Sequence, residues 1–365
     1  MRADALIIGG GIAGLSAGLF LARTGRRVTV LEREERPFLH ASGRNAAIFR
    51  HAEPSATLCT LARRSRALLD ELVPEDWLDR RGGVYLARAP QALAPFLDAM
   101  REAGVPCELL TGDALARRLP VPLEGAARAG VWSPDDGLID LDAVRGGLLR
   151  ALCAHGVEIA TRTPVESLLI DEGRASGVRL ASGETRGAPL VVLAAGAFAA
   201  DLAARASLPL PLVPVRRHLF LLEGDDEERS WPVLWRLEDE VYLRGDPEGL
   251  LASPCDEEPF APCLPPVDEA ARPLLDERLV TLTAGLGSRR ALRAWACLRT
   301  RAPDGGLVVG KDPRAEGLLW LAGLAGYGMT VGLAAAEQLL GCLGEGPAPM
   351  EELAPARLLG ARREA

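Results

Sequence analysis

The chain reads as an α/β protein of two domains. One is a Rossmann-like domain on a parallel sheet; the other is built on an antiparallel sheet, so the fold is α+β overall. Three observations predict this. A strand, a glycine turn and a helix open the sequence in "LIIGGGIAGLSAGLFLAR". A second strand–glycine–helix segment, "GLLWLAGLAGYGMTVGLAAAEQLLGCL", lies far downstream, and a buried strand, "LVVL", lies between them. The intervening "HLFLLEG", "EVYLRGD" and "GLLASPC" alternate as antiparallel strands do.

The elements follow in order. Ala5–Ile8 is an apolar run suited to a buried parallel strand. Gly9, Gly11 and Gly14 stand at G-x-G-x-x-G spacing. Gly9 permits the tight turn, Gly11 the close approach of a pyrophosphate, and Gly14 tight helix–strand packing. The helix runs to Arg23, with Gly25 as its stop. Arg27–Leu31 is the second strand, and Glu32 follows at the distance where an acid meets a ribose hydroxyl. A glycine turn without a ligand carries the same residues. A secretory leader is a second misreading of this stretch, against which its six glycines and the following strand argue.

Beyond it, a Gly/Ser/Asn loop leads into a helix near Thr57–Leu72. Gly82–Ala87 reads as a strand, residues 89–103 as a helix, and Asp140 opens a helix of about a dozen residues before a short strand at Val157–Ile159. The stretch from Glu166 to Pro189 is a small antiparallel excursion that returns to the buried strand Leu190–Leu193. The proline-rich "LPLPLVPVRR" reads as a crossing between domains. A helix near residues 267–284 and a strand at Ala291–Leu298 precede the downstream glycine segment, and "GARREA" reads as frayed.

Composition narrows the function. The 365 residues are 48% hydrophobic, enough for a large core. A net charge of −8 argues against general nucleic-acid binding. No apolar run approaches the ~18 residues of a membrane span. Seven scattered cysteines without a C-x-x-C pair read as reduced thiols of a cytoplasmic protein, and four histidines make no metal-site pattern.

Four motifs together resemble the FAD-dependent oxidoreductases of the D-amino acid oxidase superfamily: Gly9–Gly14 with Glu32, "HASGRNAA" at 40–47, "VVLAAGAF" at 191–198 and "LAGLAGYGMT" at 321–330. Within it, the bacterial D-arginine dehydrogenases show counterparts of "LEREERPFLHASGRNAA", "WSPDDGLIDLDA", "EVYLRGDPEGLLASP" and "WACLRT" in the same order. The resemblance implies an FAD-binding domain from 1–80, 140–205 and 300–345, a substrate-binding domain from 81–139 and 206–299, and a tail at 346–365. It places Gly9, Gly11, Ile12, Ala13, Gly14, Glu32 and Arg33 around the FAD, then Ser42, Gly43, Arg44, Asn45, Ala46 and Ala47, then Val165, Ala195, Gly196 and Arg299. The remaining FAD residues are Gly326, Tyr327, Gly328, Met329 and Thr330, which open a helix whose N–H groups can face the flavin edge that gains charge on reduction. Packing alone is the other reading of that glycine-rich entry.

Carried onto the substrate half, the resemblance implies that Arg217 and Arg299 hold a substrate carboxylate, which arginine does through its bidentate fork, and that Tyr242 assists. Arg216 and Arg217 are adjacent on a strand, so only one can enter the site. The sequence departs from D-arginine dehydrogenases at three positions. Gly83 stands where they carry the acid that reads the guanidinium, Ile48 where they have a histidine, and Glu53 where they have a tyrosine on a mobile loop. Glu53 reads as a solvated loop residue or as a restored partner for a cation; His51 reads as a surface histidine, and Arg50 adds polarity beside it. Cys297 replaces a small residue near the region of covalent flavin attachment in sarcosine-oxidase-type enzymes, and the expected FAD is non-covalent. Lys311, the only lysine, sits in a turn, so the oxygen-activating lysine of some amine oxidases has no counterpart. The expected activity is oxidative deamination of an amino or imino acid, of D configuration and not strongly cationic, with electrons passed to a quinone or oxygen. A 2-hydroxy acid dehydrogenase, a flavin-binding protein without this activity, and NAD binding at the first motif are the alternatives.

Overall fold

The computed structural model describes residues 3–120, 127–282 and 284–360. The opening unit consists of the strand Ala5–Ile8, the helix Ile12–Arg23 and the strand Val28–Leu31. Gly25 lies at φ 87°, in the left-handed region that a helix exit of this kind requires. Among the described residues a six-stranded sheet runs in the order Val308–Lys311, Leu318–Ala322, Leu190–Leu193, Ala5–Ile8, Val28–Leu31, Glu158–Ala160. Its neighbours are parallel except for the Val308–Lys311 edge. The four inner strands are buried on both faces, which is why they read as unbroken apolar runs. One face packs against the helices Ile12–Arg23, Ala56–Leu72, Leu141–Ala154 and Gly328–Cys342. The other carries the antiparallel excursion, strands Val165–Asp171, Arg174–Leu180 and Thr185–Gly187, with the helix Ala199–Arg205.

The second layer is, among the described residues, a nine-stranded, mostly antiparallel sheet that includes Gly83–Ala87, Ala129–Ser133, Val233–Arg236, Val241–Asp246 and Gly249–Ser253; only Val233–Arg236 against Gly83–Ala87 is parallel. Its long pair is Val213–Leu222 against Ala291–Arg301, in register from Val213 opposite Arg301 to Leu221 opposite Arg293, with a one-residue shift before Leu222 meets Ala291. The proline-rich stretch divides here: residues 208–212 are the irregular connection, and its end is already strand. The strand starts at Val213 and runs through Pro214 and both arginines. A proline beside a strand's first residue removes one donor at its end, which a sheet tolerates. The partner strand extends three residues past Leu298, bringing Arg299 and Arg301 into the sheet.

Other elements differ in their bounds. The helix expected near 267–284 contracts to Ala271–Leu279, because Pro273 is tolerated only in a first turn. Residues 90–102 split into a 3₁₀ turn, Pro90–Leu93, and a helix, Ala94–Glu102, for the same reason at Pro95. A strand not read from the sequence, Gly137–Ile139, pairs with Ile48–Phe49 and Leu78–Asp79 and pins the segment that carries residues 48–53. Leu353 and Leu358 are buried, so the segment after the long helix packs on the body; residues 361–365, where fraying was expected, lie outside the described residues. No described helix is long and apolar enough to cross a membrane.

Candidate active site

A cavity of about 790 Å³ lies where the C-terminal ends of the parallel strands face the antiparallel sheet. That is where open α/β sheets place their ligands. Its floor is the glycine turn. Gly9 has φ +108°, and a Cβ there would lie 2.6 Å from the Ala194 carbonyl oxygen. Gly9, Gly11, Ile12, Ala13, Glu32 and Arg33 line it. Gly14 does not: a Cβ on Gly14 would come within 1.8 Å of the Gly9 carbonyl oxygen, so its part is helix–strand packing. The Glu32 carboxylate is buried and accepts from the N–H groups of Gly10 (2.6 Å) and Glu34 (2.8 Å), which fixes it at the end of its strand. Arg33 stacks 4.2 Å over the Phe198 ring beside it.

The "ASGRNAA" segment folds on itself. Ser42 Oγ accepts from the Ile12 N–H at 3.0 Å, the first turn of the opening helix. The Asn45 side chain donates to the Ala41 and Ser42 carbonyls and accepts from the Ala47 N–H. Arg44 Nε donates to the Ala296 carbonyl, while the Trp295 indole donates to the Arg44 carbonyl; together they clamp the loop to the antiparallel sheet. Ser42, Arg44, Asn45 and Ala46 line the cavity; Gly43 and Ala47 lie behind them. Gly43 is excluded because its Cα faces the Phe38 carbonyl oxygen, 1.9 Å from where a Cβ would be. Val165, Ala195 and Gly196 line one flank, and Gly326, Tyr327, Gly328, Met329 and Thr330 the entry of the Gly328–Cys342 helix. A cavity with a glycine floor, an acid at the second strand and a helix entry in its wall fits an FAD through residues of this chain alone.

The antiparallel sheet supplies the other wall. Arg217, Tyr242 and Arg299 all line the cavity. The alternation sends Arg216 the other way, to Glu258 and Asp268. Arg217 pairs with Glu257 at 2.5 Å, and Arg301 reaches the same carboxylate. Arg299 differs from them. It is 6% exposed, and among the described residues its Nη1 donates to the Cys297 sulfur at 3.0 Å while no carboxylate pairs with it. Its Nε lies 3.9 Å from where a Cβ on Gly326 would be, so the cation sits beside the helix entry. Burial pushes the Tyr242 hydroxyl up to about 12, which keeps it neutral. Its ring lies 4.5 Å from that of Trp235.

Two readings are corrected here. Glu53 is not solvated: it is 3% exposed, lines the cavity and forms an ion pair with Arg50. The Arg50 guanidinium lies 4.0 Å over Trp235. Burial pushes the Glu53 carboxyl up to about 7 against the pull of Arg50 and the Tyr327 hydroxyl. His51 is not a surface histidine: it is 3% exposed and bonds Asp136 at 2.9 Å through Nδ1. Ile48 lines the cavity, while Gly83 does not. The Tyr85 hydroxyl occupies the space before Gly83, 2.9 Å from a Cβ position there, and donates to Asp136. Trp235, Glu257 and Arg301 were missed. They sit in strands and loops whose local pattern says only "sheet", and no motif marks them.

Comparison with known proteins places the chain. A D-amino acid dehydrogenase from Cereibacter sphaeroides is 28% identical over 96% of this chain and 93% of its own length. A mitochondrial pyruvate dehydrogenase phosphatase regulatory subunit from Mus musculus is 24% identical over 91% of this chain, which spans only 40% of that protein. The solved structure of L-proline dehydrogenase from P. horikoshii superposes with a TM-score of 0.87 at 22% identity, over 98% of this chain and 97% of that one, and so shares the fold. Residues 4–340 match the DAO family, FAD dependent oxidoreductase. The chain belongs to the DAO family of FAD-dependent oxidoreductases.

Proposed function

We propose that the protein oxidises the α-C–N bond of an amino or imino acid, with D-amino acids lacking a strongly cationic side chain as the preferred donors and FAD held non-covalently between an FAD-binding and a substrate-binding domain. The observation that carries this is Arg299: a buried guanidinium in the cavity wall, beside the helix entry, with only a sulfur for a partner among the described residues. An unpaired buried cation is costly, and a carboxylate is the ligand that matches its fork. Arg217 closes on the same carboxylate from the neighbouring strand, and the neutral Tyr242 hydroxyl adds a hydrogen bond.

When bound, FAD is the two-electron acceptor that takes the α-hydrogen as hydride, leaving an imino acid that hydrolyses to a 2-oxo acid and ammonia. Ile48 and Trp235 offer the substrate side chain an apolar wall. Arg50 and Glu53 neutralise one another, which leaves no free acid there for a cationic side chain. Lys311 is exposed at the end of its strand and does not line the cavity, in keeping with a dehydrogenase that passes electrons to a quinone.

The test is anaerobic mixing of the flavin-loaded protein with D- and L-amino acids and 2-hydroxy acids, following flavin absorbance. Bleaching by neutral D-amino acids, with slow recovery in air, is the expected result. Bleaching by hydroxy acids alone would retain the carboxylate anchor and overturn the C–N chemistry. No bleaching by any donor would overturn the activity.

A further inference from the structure

Loss of hydride from a C–N carbon needs the nitrogen lone pair, which forms the new C=N bond. An ammonium has no lone pair, and a free amino acid carries its amine protonated at neutral pH. A group in the cavity wall that receives this proton would let the abundant ammonium form of the substrate react. The arginines are permanent cations. Tyr242 stays neutral, and burial also raises the Cys255 thiol. The Glu257 carboxylate is held by both Arg217 and Arg301, and Glu240 faces Arg278. Glu53 is different. It is 3% exposed in the cavity wall and is held by one guanidinium, that of Arg50, rather than two. One turn links it to the carboxylate anchor: Tyr327 bonds Glu53, and the adjacent Gly326 stands against Arg299.

Resting on the amine-oxidation reading above, we infer that Glu53 receives the proton of the substrate ammonium. The N–H bond breaks, its electron pair stays on nitrogen, and the proton joins a Glu53 carboxylate oxygen. Arg50 is the positioning residue that holds this carboxyl in the wall. The charged and titratable groups facing Glu53 are Arg50 on its own segment, Tyr327 ahead of the Gly328–Cys342 helix, Asp136 and Tyr85 from the sheet side, and Cys59, whose thiol donates to the Glu53 carbonyl. Burial is the largest influence on its ionisation and sets it to change charge about pH 7. A carboxyl of ordinary acidity would be a far weaker base.

The experiment measures the limiting rate of anaerobic flavin reduction by an amino acid across pH, in the wild type, Glu53→Gln and Tyr327→Phe. Flavin content and benzoate affinity, read from the flavin difference spectrum, are followed in parallel. The wild-type rate should rise through about pH 7. Glu53→Gln should be slower on the order of 10²-fold at neutral pH. Its acid limb should move up towards the ammonium's own range, with benzoate affinity kept. Tyr327→Phe removes a hydrogen bond that favours the carboxylate, so its limb should also move up. A limb unmoved in both variants, or a Glu53→Gln rate lowered equally at every pH, would overturn the inference. If Glu53→Gln fails to fold, an unmoved limb in Tyr327→Phe overturns it alone. Failure of the underlying reading looks different, since no amino acid would then bleach the wild type.

Discussion

The two walls of the cavity are built on opposite plans. The cofactor wall is backbone. Gly9 and Gly11 in the floor, and Gly14 packed behind it, serve by having no side chain, and their neighbours are carbonyl oxygens or a short serine hydroxyl. The substrate wall is side chain. Arg50 and Glu53 share one segment, Arg217, Tyr242, Glu257 and Arg299 come from others, and most answer one another's charge. A backbone cradle has no spare conformations, so it tolerates no added atom. In a wall of charges an unpaired member can be lost with the fold kept, whereas removing one partner of a buried pair strands the other. That contrast ranks the consequences of change from one wall to the other.

The largest effect belongs to the cradle. Gly14→Ala sets a methyl 1.8 Å from the Gly9 carbonyl oxygen, and neither backbone can yield. The expected outcome is a colourless protein destabilised by about 3 kcal/mol or more, read from flavin absorbance per chain and the urea midpoint. A yellow, stable Gly14→Ala protein would break the comparison. Next comes Arg299→Met, which should keep its flavin and its stability. Each charged hydrogen bond lost costs about 1.5–3 kcal/mol, so a bidentate loss lowers kcat/KM on the order of 10²–10⁴-fold and weakens benzoate binding with it.

Smaller effects sharpen the picture within the substrate wall. Glu257→Gln takes away the carboxylate that occupies Arg217 and Arg301. Benzoate should then bind a few-fold tighter, about 0.5–1 kcal/mol, the scale of a partly exposed ion pair. Weaker binding would mean that Glu257 orients Arg217 rather than competing for it. The smallest change is Cys297→Ala. It removes the N–H···S contact that steadies Arg299. A loss of about 0.5–1 kcal/mol in benzoate affinity is expected, with flavin content unchanged.

Legibility followed the same divide. The strand Ala5–Ile8, the turn after it and the helix to Arg23 are local: each residue's neighbours in sequence are its neighbours in space. The strand Leu190–Leu193 and the helix after Tyr327 were legible for that reason too. Alternation already said that Arg216 and Arg217 must part. Glu53 and His51 misled because their surroundings come from elsewhere. The strand Gly137–Ile139 pins their segment, and Asp136, 85 residues away, takes the His51 ring. Nothing within the "FRHAEP" stretch announces that burial.

The amino-acid sequence alone thus determined the α/β class, the dinucleotide floor and the set of arginines from which a carboxylate anchor could be drawn. Periodicity, glycine spacing and side-chain chemistry act over a few residues, and the chain carries them wherever it folds. Only the tertiary structure decided which cations are already spoken for. Arg216 is paired with Glu258 and Asp268, Arg217 and Arg301 share Glu257, and Arg50 holds Glu53, which leaves Arg299 with a sulfur. Those pairings depend on the register between Val213–Leu222 and Ala291–Arg301 and on how loops fold across it. Coulomb energy falls off with distance through a medium whose screening depends on burial, so a charge's partner is set by position in space and not by position in the chain.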